Sequence, residues 1–270
     1  MTVFQAFILG LVQGVTEFLP ISSSGHLVLT PYLLNWDIPK EQVFVFDVLV
    51  QIGTLVAVII YFRKDLWSVL SVTSSVLGQK GSFQKPEVRM GVYLILASIP
   101  AFFVGVMLKS SVEMAFSNPK FTVLSLIFTA LLLILAEQVG KHTKKLTQIN
   151  WQDALVMGIF QAVSLFPGVS RSGSTISGGM LRGLDRPSAA RFSFLMAIPV
   201  MVGAGTVAAI DLFATAGLGE FIFPLLVGLM TAAIVGYLSI HWLLRFLANH
   251  PLYYFSIYLI ALTTLILVLK

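Results

Sequence analysis

The chain contains no cysteine. That absence excludes disulfides, thiol catalysis, iron–sulfur clusters and thiolate-bound zinc, and it leaves the compartment open. Charge is scarce as well. Only 11% of the 270 residues are Asp, Glu, Lys or Arg, against roughly 25% in soluble domains, which is too little to cover a water-facing surface. Motifs interleaving aromatic and basic residues are missing, so the formal charge of +5 reads as basic loops beside a membrane, and no nucleic-acid partner is expected. The first residues lack a basic n-region and a small-residue cleavage site, and are not read as a removable signal peptide.

Apolar sequence is what the chain has in excess: 57% of residues are hydrophobic and the mean hydropathy is +0.92. Runs at 43–62, 90–108, 121–139, 192–213, 221–246 and 252–269 reach about the 20 residues that cross a bilayer. Each is apolar all round, as a lipid-embedded helix is. These runs predict an all-α, multi-pass membrane protein with six transmembrane helices in a single membrane domain, 1–270.

Two further apolar segments break differently. Residues 3–19 stop at Pro20 and run into Ile21-Ser22-Ser23-Ser24-Gly25-His26. Residues 154–166 stop at Pro167 and run into Gly168-Val169-Ser170-Arg171-Ser172-Gly173-Ser174-Thr175. Polar, irregular backbone is tolerated at membrane depth only where it is buried in protein or lines a watery cavity, so both read as re-entrant helix hairpins. They are also copies of one another. At a constant offset of 148, Gly10, Gln13, Val15, Phe18, Ser22, Ser24 and Gly25 match Gly158, Gln161, Val163, Phe166, Ser170, Ser172 and Gly173. Shared apolar letters between helices are cheap; matches that continue through a polar loop are not.

Basic residues crowd three connections: Arg63, Lys64, Lys80, Lys85 and Arg89; then Lys141, Lys144 and Lys145; then Arg182, Arg186 and Arg191. The positive-inside rule places all three in the cytoplasm. The first hairpin then enters from the outer side and the second from the cytoplasm, with three spans between them. The expectation is an inverted-topology repeat, about 1–140 and about 150–270, with a substrate site where the broken helices meet. Lys141–Lys145 is expected to face anionic lipid, and Glu137 and Asp211 to be solvated near span ends. Asp47 either lines the cavity or caps its helix.

Gln13 and Glu17, four apart, share a helix face, and Gly10 with Gly14 forms a small-residue ridge that admits a close neighbour. A carboxylate in an apolar hairpin points to function, although an interfacial carboxylate near a helix end is the plain alternative. Ser22, Ser23, Ser24 and His26 follow at once. Serines cap helices cheaply, but together with Glu17 they supply an orienter, a base and a nucleophile. The second copy replaces Glu17, Ser23 and His26 by Leu165, Arg171 and Ser174. The Arg171 guanidinium matches phosphate oxygens, with Ser170, Ser172, Ser174 and Thr175 as further donors and a helix restarting near Thr175 favouring an anion. The alternative is a structural Arg171–Glu17 bridge. This chemistry is that of a phosphatase acting on a lipid diphosphate. A transporter or flippase of prenyl phosphate or another anion is the competing reading.

At these motifs the sequence resembles the bacterial undecaprenyl-diphosphatase family, the bacitracin-resistance proteins. Gln13-Gly14-Val15-Thr16-Glu17 with the Ser/His segment to His26 matches the family's (Glu/Gln)-x-x-x-Glu motif, and residues 167–175 match its Pro-Gly-x-Ser-Arg-Ser-x-x-Thr motif. The resemblance implies hydrolysis of undecaprenyl diphosphate to undecaprenyl phosphate in the bacterial cytoplasmic (inner) membrane, recycling the carrier lipid for peptidoglycan synthesis, with the site opening to the outer side. It implies Gln13, Glu17, Ser22, Ser23, His26, Ser170, Arg171, Ser172 and Thr175 as site residues, and dependence on a divalent cation, Mg²⁺ or Ca²⁺, with Glu17 as a candidate ligand. Position 13 holds Gln where some members hold Glu, so a second carboxylate for metal is absent. The nucleophile stays open between Ser23, His26 and water. Membrane lipids are expected partners, and a homodimer is among the oligomeric states left open.

Overall fold

The computed structural model describes residues 1–38, 40–76, 82–108, 119–213 and 219–269. These residues form eleven α-helices and no β-strand. In order they are α1 (Val3–Thr16), α2 (Ser23–Leu33), α3 (Lys40–Tyr61), α4 (Arg63–Val76), α5 (Pro86–Met107), α6 (Pro119–Val139), α7 (Trp151–Val163), α8 (Arg171–Leu181), α9 (Arg186–Phe213), α10 (Gly219–Asn249) and α11 (Tyr253–Leu269). Four described stretches, Pro86–Met107, Lys120–Val139, Arg186–Thr206 and Phe221–Asn249, are long and apolar enough to cross a bilayer. Their outer faces carry exposed apolar side chains such as Phe102, Phe103, Val106 and Met107, a surface suited to lipid and not to water. The chain is an all-helical, multi-pass membrane protein.

The broken segments start and stop for local reasons. Thr2 and Gln5 form a capping box at the start of α1, and Asn150 and Asp153 do the same for α7, each satisfying otherwise orphaned N–H groups. Pro20 and Pro167 then stand in the turns that follow. Ser22 caps α2 and Ser170 caps α8, so each helix restarts at the residue after its capping serine. The second restart is at Arg171, a turn earlier than expected, because the Ser170 hydroxyl accepts from the Gly173 N–H at 3.0 Å.

Packing joins elements far apart in the chain: α1 lies along α10, and α7 lies along α5. The glycine ridge explains the first contact. A Cβ on Gly10 would stand 2.6 Å from the Gly228 carbonyl oxygen, and one on Gly14 would stand 2.7 Å from Val235 Cβ. Gly158 meets the backbone of Ala97 in the same way, at 2.5 Å from its carbonyl oxygen. Lipid tails are as apolar as side chains, so close backbone approach and dense packing hold such helices together. Phe18, Phe62, Phe192 and Phe194 form the aromatic heart of the larger core.

Several local expectations are corrected. The connection carrying Arg63 and Lys64 is not a loop: after Tyr61 the chain bends by 72° into α4. Helix α4 has exposed Trp67 and Leu70, and its Ser71, Ser74 and Ser75 hydroxyls donate to carbonyls three residues earlier, which hides its helical character in a serine-rich stretch. Lys80 lies outside the described residues, as does the side chain of Asp211. Glu137 is buried, not solvated. It accepts both arms of the Arg186 guanidinium, at 2.7 and 2.5 Å, and the Leu252 N–H at 2.6 Å, and its side chain is only 2% exposed. Nor do Lys144 and Lys145 simply face lipid. Lys144 pairs with buried Asp153, which also holds Arg182, and Lys145 pairs with Asp185 at 2.6 Å.

Candidate active site

The site forms where the two helix restarts meet. Ser24 Oγ accepts the Gly168 N–H at 3.3 Å, and Ser172 Oγ donates to the Leu19 carbonyl at 2.9 Å. The N-terminal ends of α2 and α8 therefore adjoin. The first-turn N–H groups of a helix have no intrahelical acceptor, and two such ends together favour an anion between them. Gly168 makes the second turn possible with φ +86° and a Cβ position filled by the Thr122 carbonyl oxygen, 2.5 Å away. Ser22 adopts φ +71°, a region an L residue enters at about 1–3 kcal/mol. Its hydroxyl accepts the Gly25 N–H at 3.2 Å and its carbonyl meets His26 Nδ1 at 2.7 Å.

Glu17 is the hub. Its Oε2 accepts the Ser23 hydroxyl at 2.6 Å and the Gln13 amide at 2.9 Å, while its Oε1 accepts Arg171 Nη2 at 2.6 Å. The carboxylate is 6% exposed and the Arg171 side chain 16%. The bridge weighed as an alternative in the sequence thus exists in this structure. It is not a closed pair, because the other carboxylate oxygen also accepts the Ser23 hydroxyl and the Gln13 amide. Arg171 additionally reaches the Ser193 carbonyl at 3.4 Å.

The other expected residues divide. His26 uses both ring nitrogens: Nδ1 faces the Ser22 carbonyl, which can only accept, so Nδ1 carries the proton and Nε2 accepts from the Tyr258 hydroxyl at 2.7 Å. Ser22 and Ser24 hydroxyls meet at 3.3 Å, and Ser170 and Ser172 at 3.2 Å. Thr175 points inward, bonding the Arg171 carbonyl at 2.8 Å and Ser193 Oγ at 2.6 Å. Ser174 is fully buried with an unpartnered hydroxyl. Asp47 is buried too, with Oδ1 unpartnered, so it does not cap its helix end in solvent.

Sequence reasoning missed Thr54, Ser193 and Tyr258. Thr54 accepts from Gln13 Nε2 at 3.3 Å. Its signal was available: Asp47, Gln51 and Thr54 recur at helical spacing on one face of an otherwise apolar run. Ser193 and Tyr258 gave none, since serine is unobtrusive in a helix and tyrosine near a membrane boundary is ordinary.

Whether a divalent cation fits can be judged from the donors. Among the described residues no three Asp, Glu or His side chains gather as an acidic cage. The Glu17 carboxylate does, however, accept from the Gln13 amide nitrogen and the Ser23 hydroxyl, and the buried Oε1 of that same amide has no hydrogen-bond partner. Hard oxygen donors with one carboxylate, completed by phosphate oxygens, suit Mg²⁺ or Ca²⁺. The residues fit.

Known proteins match this chain over almost its whole length. It is 42% identical over 266 residues to an undecaprenyl-diphosphatase of Moorella thermoacetica, covering 98% of this chain and 97% of that protein. It is 41% identical over 260 residues to one from Synechococcus, covering 95% and 89%, and 41% identical over 271 residues to one from Thermobifida fusca, covering 100% and 90%. Residues 6–265 match the family described as bacitracin resistance protein BacA. With both broken segments inside the matched region, the chain belongs to the BacA family of bacitracin resistance proteins.

Proposed function

We infer that the chain hydrolyses undecaprenyl diphosphate to undecaprenyl phosphate and inorganic phosphate, recycling the carrier lipid for peptidoglycan synthesis and conferring bacitracin resistance. The observation that carries this reading is the Glu17 carboxylate, held between the Ser23 hydroxyl and the Arg171 guanidinium at the junction of two helix N-termini. Phosphoryl transfer rests on positioning and on stabilising charge, and these groups supply both. The diphosphate competes with Glu17 for Arg171, whose planar fork has donors for both.

In the attack, Glu17 takes the Ser23 proton as Ser23 Oγ bonds to the terminal phosphorus, and the bond to the bridging oxygen breaks to release the prenyl monophosphate. Water then cleaves the phosphoserine. The short Ser23–Glu17 bond favours this nucleophile over His26, whose Nε2 lone pair is occupied by the Tyr258 hydroxyl. His26 positions Ser22 and the α2 terminus, and Arg171 with the free N–H groups of α2 and α8 hold the phosphoryl oxygens. A divalent cation bound by Glu17 and Gln13 would supply further neutralisation of the diphosphate charge.

The topology proposed with this chemistry is six spans and two re-entrant hairpins in an inverted repeat, in the bacterial cytoplasmic membrane, with the site open to the outer side. Two observations support it. Residues 148 apart make the same capping bonds, and the basic connections, remote in sequence, join through Lys145–Asp185, Arg182–Asp153 and Arg191–Asp65.

Purified chain in detergent should release phosphate from a prenyl diphosphate and lose that activity in Glu17→Gln and Arg171→Ala. No release under any divalent cation would overturn the reading. Trapped phosphoenzyme should be acid-stable and base-labile; an acid-labile adduct would eliminate Ser23 as nucleophile.

A further inference from the structure

A second polar recess lies apart from the hairpins, where the end of α3 and the start of α4 meet α9 and α10. Tyr61, Arg63, Lys64, Arg191, Tyr237 and His241 line a cavity of about 310 Å³. Phe62 also lines it, and two rings, Phe18 and Phe194, stand between that wall and the Glu17 cluster. Phe18 contacts Phe194 with centroids 5.2 Å apart, Phe194 contacts Phe62 at 6.4 Å, and the Arg191 guanidinium sits 5.6 Å above Phe62. None of the residues lining the recess bonds to Glu17, Ser23 or Arg171 among the described residues.

The charges do not cancel. Three cations share the recess with one carboxylate, Asp65, which pairs with Arg191 at 3.1 Å. Among the described residues Arg63 bonds only the Ile60 carbonyl, at 3.0 Å, and Lys64 has no hydrogen-bond partner. Both stand in the first turn of α4. The Tyr61 hydroxyl lies 3.4 Å from His241 Nδ1, so a hydroxyl and an imidazole stand at the wall as further hydrogen-bonding groups. Salt-exposed topology signals need no cavity. A recess walled by a guanidinium, an ammonium and aromatic hydroxyls is built for tetrahedral oxyanions.

We propose that this recess binds a phosphate group on the face of the protein marked by the basic connections. The phosphate belongs either to an anionic lipid headgroup or to free inorganic phosphate. The site is independent of the hydrolytic reading, since its residues play no part in the chemistry at Glu17.

Four histidines occur in the chain, at 26, 142, 241 and 250, so ¹³C-histidine NMR of the full protein in nonionic detergent can watch His241 directly, with His241→Gln assigning its signal. One titration uses inorganic phosphate and the other short-chain phosphatidylglycerol, each against chloride at matched ionic strength. Saturable movement of the His241 signal in both marks a general phosphate site, and movement with the lipid alone marks a headgroup site. Either result supports the proposal. In the Arg63→Gln/Lys64→Gln double variant the affinity should fall about tenfold, the size of one lost charge-assisted hydrogen bond, while prenyl diphosphate hydrolysis continues. Both positions are exposed, so folding is spared. No movement, equal movement with chloride, or unchanged affinity in the double variant overturns the proposal.

Discussion

The two hairpins repeat the same backbone device with different side chains. In each, a serine caps the second helix and bonds the N–H three residues on, at 3.2 Å from Ser22 and 3.0 Å from Ser170. In each, that serine meets a second one two residues later, at 3.3 and 3.2 Å. Around these fixed points the first segment carries Glu17, Ser23 and His26, and the second carries Leu165, Arg171 and Ser174. One segment thus presents a carboxylate bonded to a hydroxyl, and the other presents the guanidinium that meets it. The difference teaches that the candidate site needs both segments, since neither sequence alone presents a carboxylate and a counter-charge.

The largest effects should come from breaking that division. Glu17→Gln should lower kcat by about a thousandfold, the range of a lost general base, and Arg171→Ala by a similar factor through lost charge stabilisation. Moving the carboxylate to the other copy, in Glu17→Gln/Leu165→Glu, should restore nothing in a phosphate-release assay, because position 171 has no hydroxyl to deprotonate. Recovered activity would refute the assigned roles.

A smaller effect is expected at the third position of difference. Tyr258→Phe removes one hydrogen bond to His26 Nε2, worth about 1 kcal/mol, and should reduce kcat about fivefold while shifting the pH–rate profile. An unchanged profile would leave Tyr258 a packing residue only.

The helices supporting the hairpins can be compared through their glycines. Gly10→Val and Gly158→Val should each destabilise by about 1–3 kcal/mol through overpacking, read as earlier thermal unfolding in detergent, with kcat of the folded fraction retained. The smallest effect lies outside the membrane, at Asp185. Burial pushes its carboxyl up, but bonds from Lys145 and Ser188 outweigh this and hold it below its ordinary value near 3.8. A lowered folded-state value means stability present above that pH and lost as the pH falls through it. The parent should therefore lose thermal stability on acidification more steeply than Asp185→Asn.

Much of this was legible beforehand because it depends on local chemistry. Pro20 and Pro167 announce breaks, the capping serines announce restarts, and a carboxylate with an arginine in apolar surroundings announces function. The unread parts depend on partners far away in the chain. Glu137 looked solvated because Arg186 and the Leu252 N–H, which bury it, are remote in sequence. Tyr258 became informative only when its helix placed it on His26. Helix α4 was missed for a local reason: its serines satisfy themselves along their own helix, so its polar composition imitates a loop.

The glycine ridge of α1 has a temporal side. Gly10 and Gly14 are synthesised well before the surface they fit, around Gly228 and Val235. Until α10 emerges from the ribosome, the first hairpin and its carboxylate have no finished berth. Glu17 must wait in an incomplete protein for both its ion partner and its supporting helix. Truncation before α10 should therefore leave a chain that inserts yet cannot mature, visible as rapid turnover by membrane proteases.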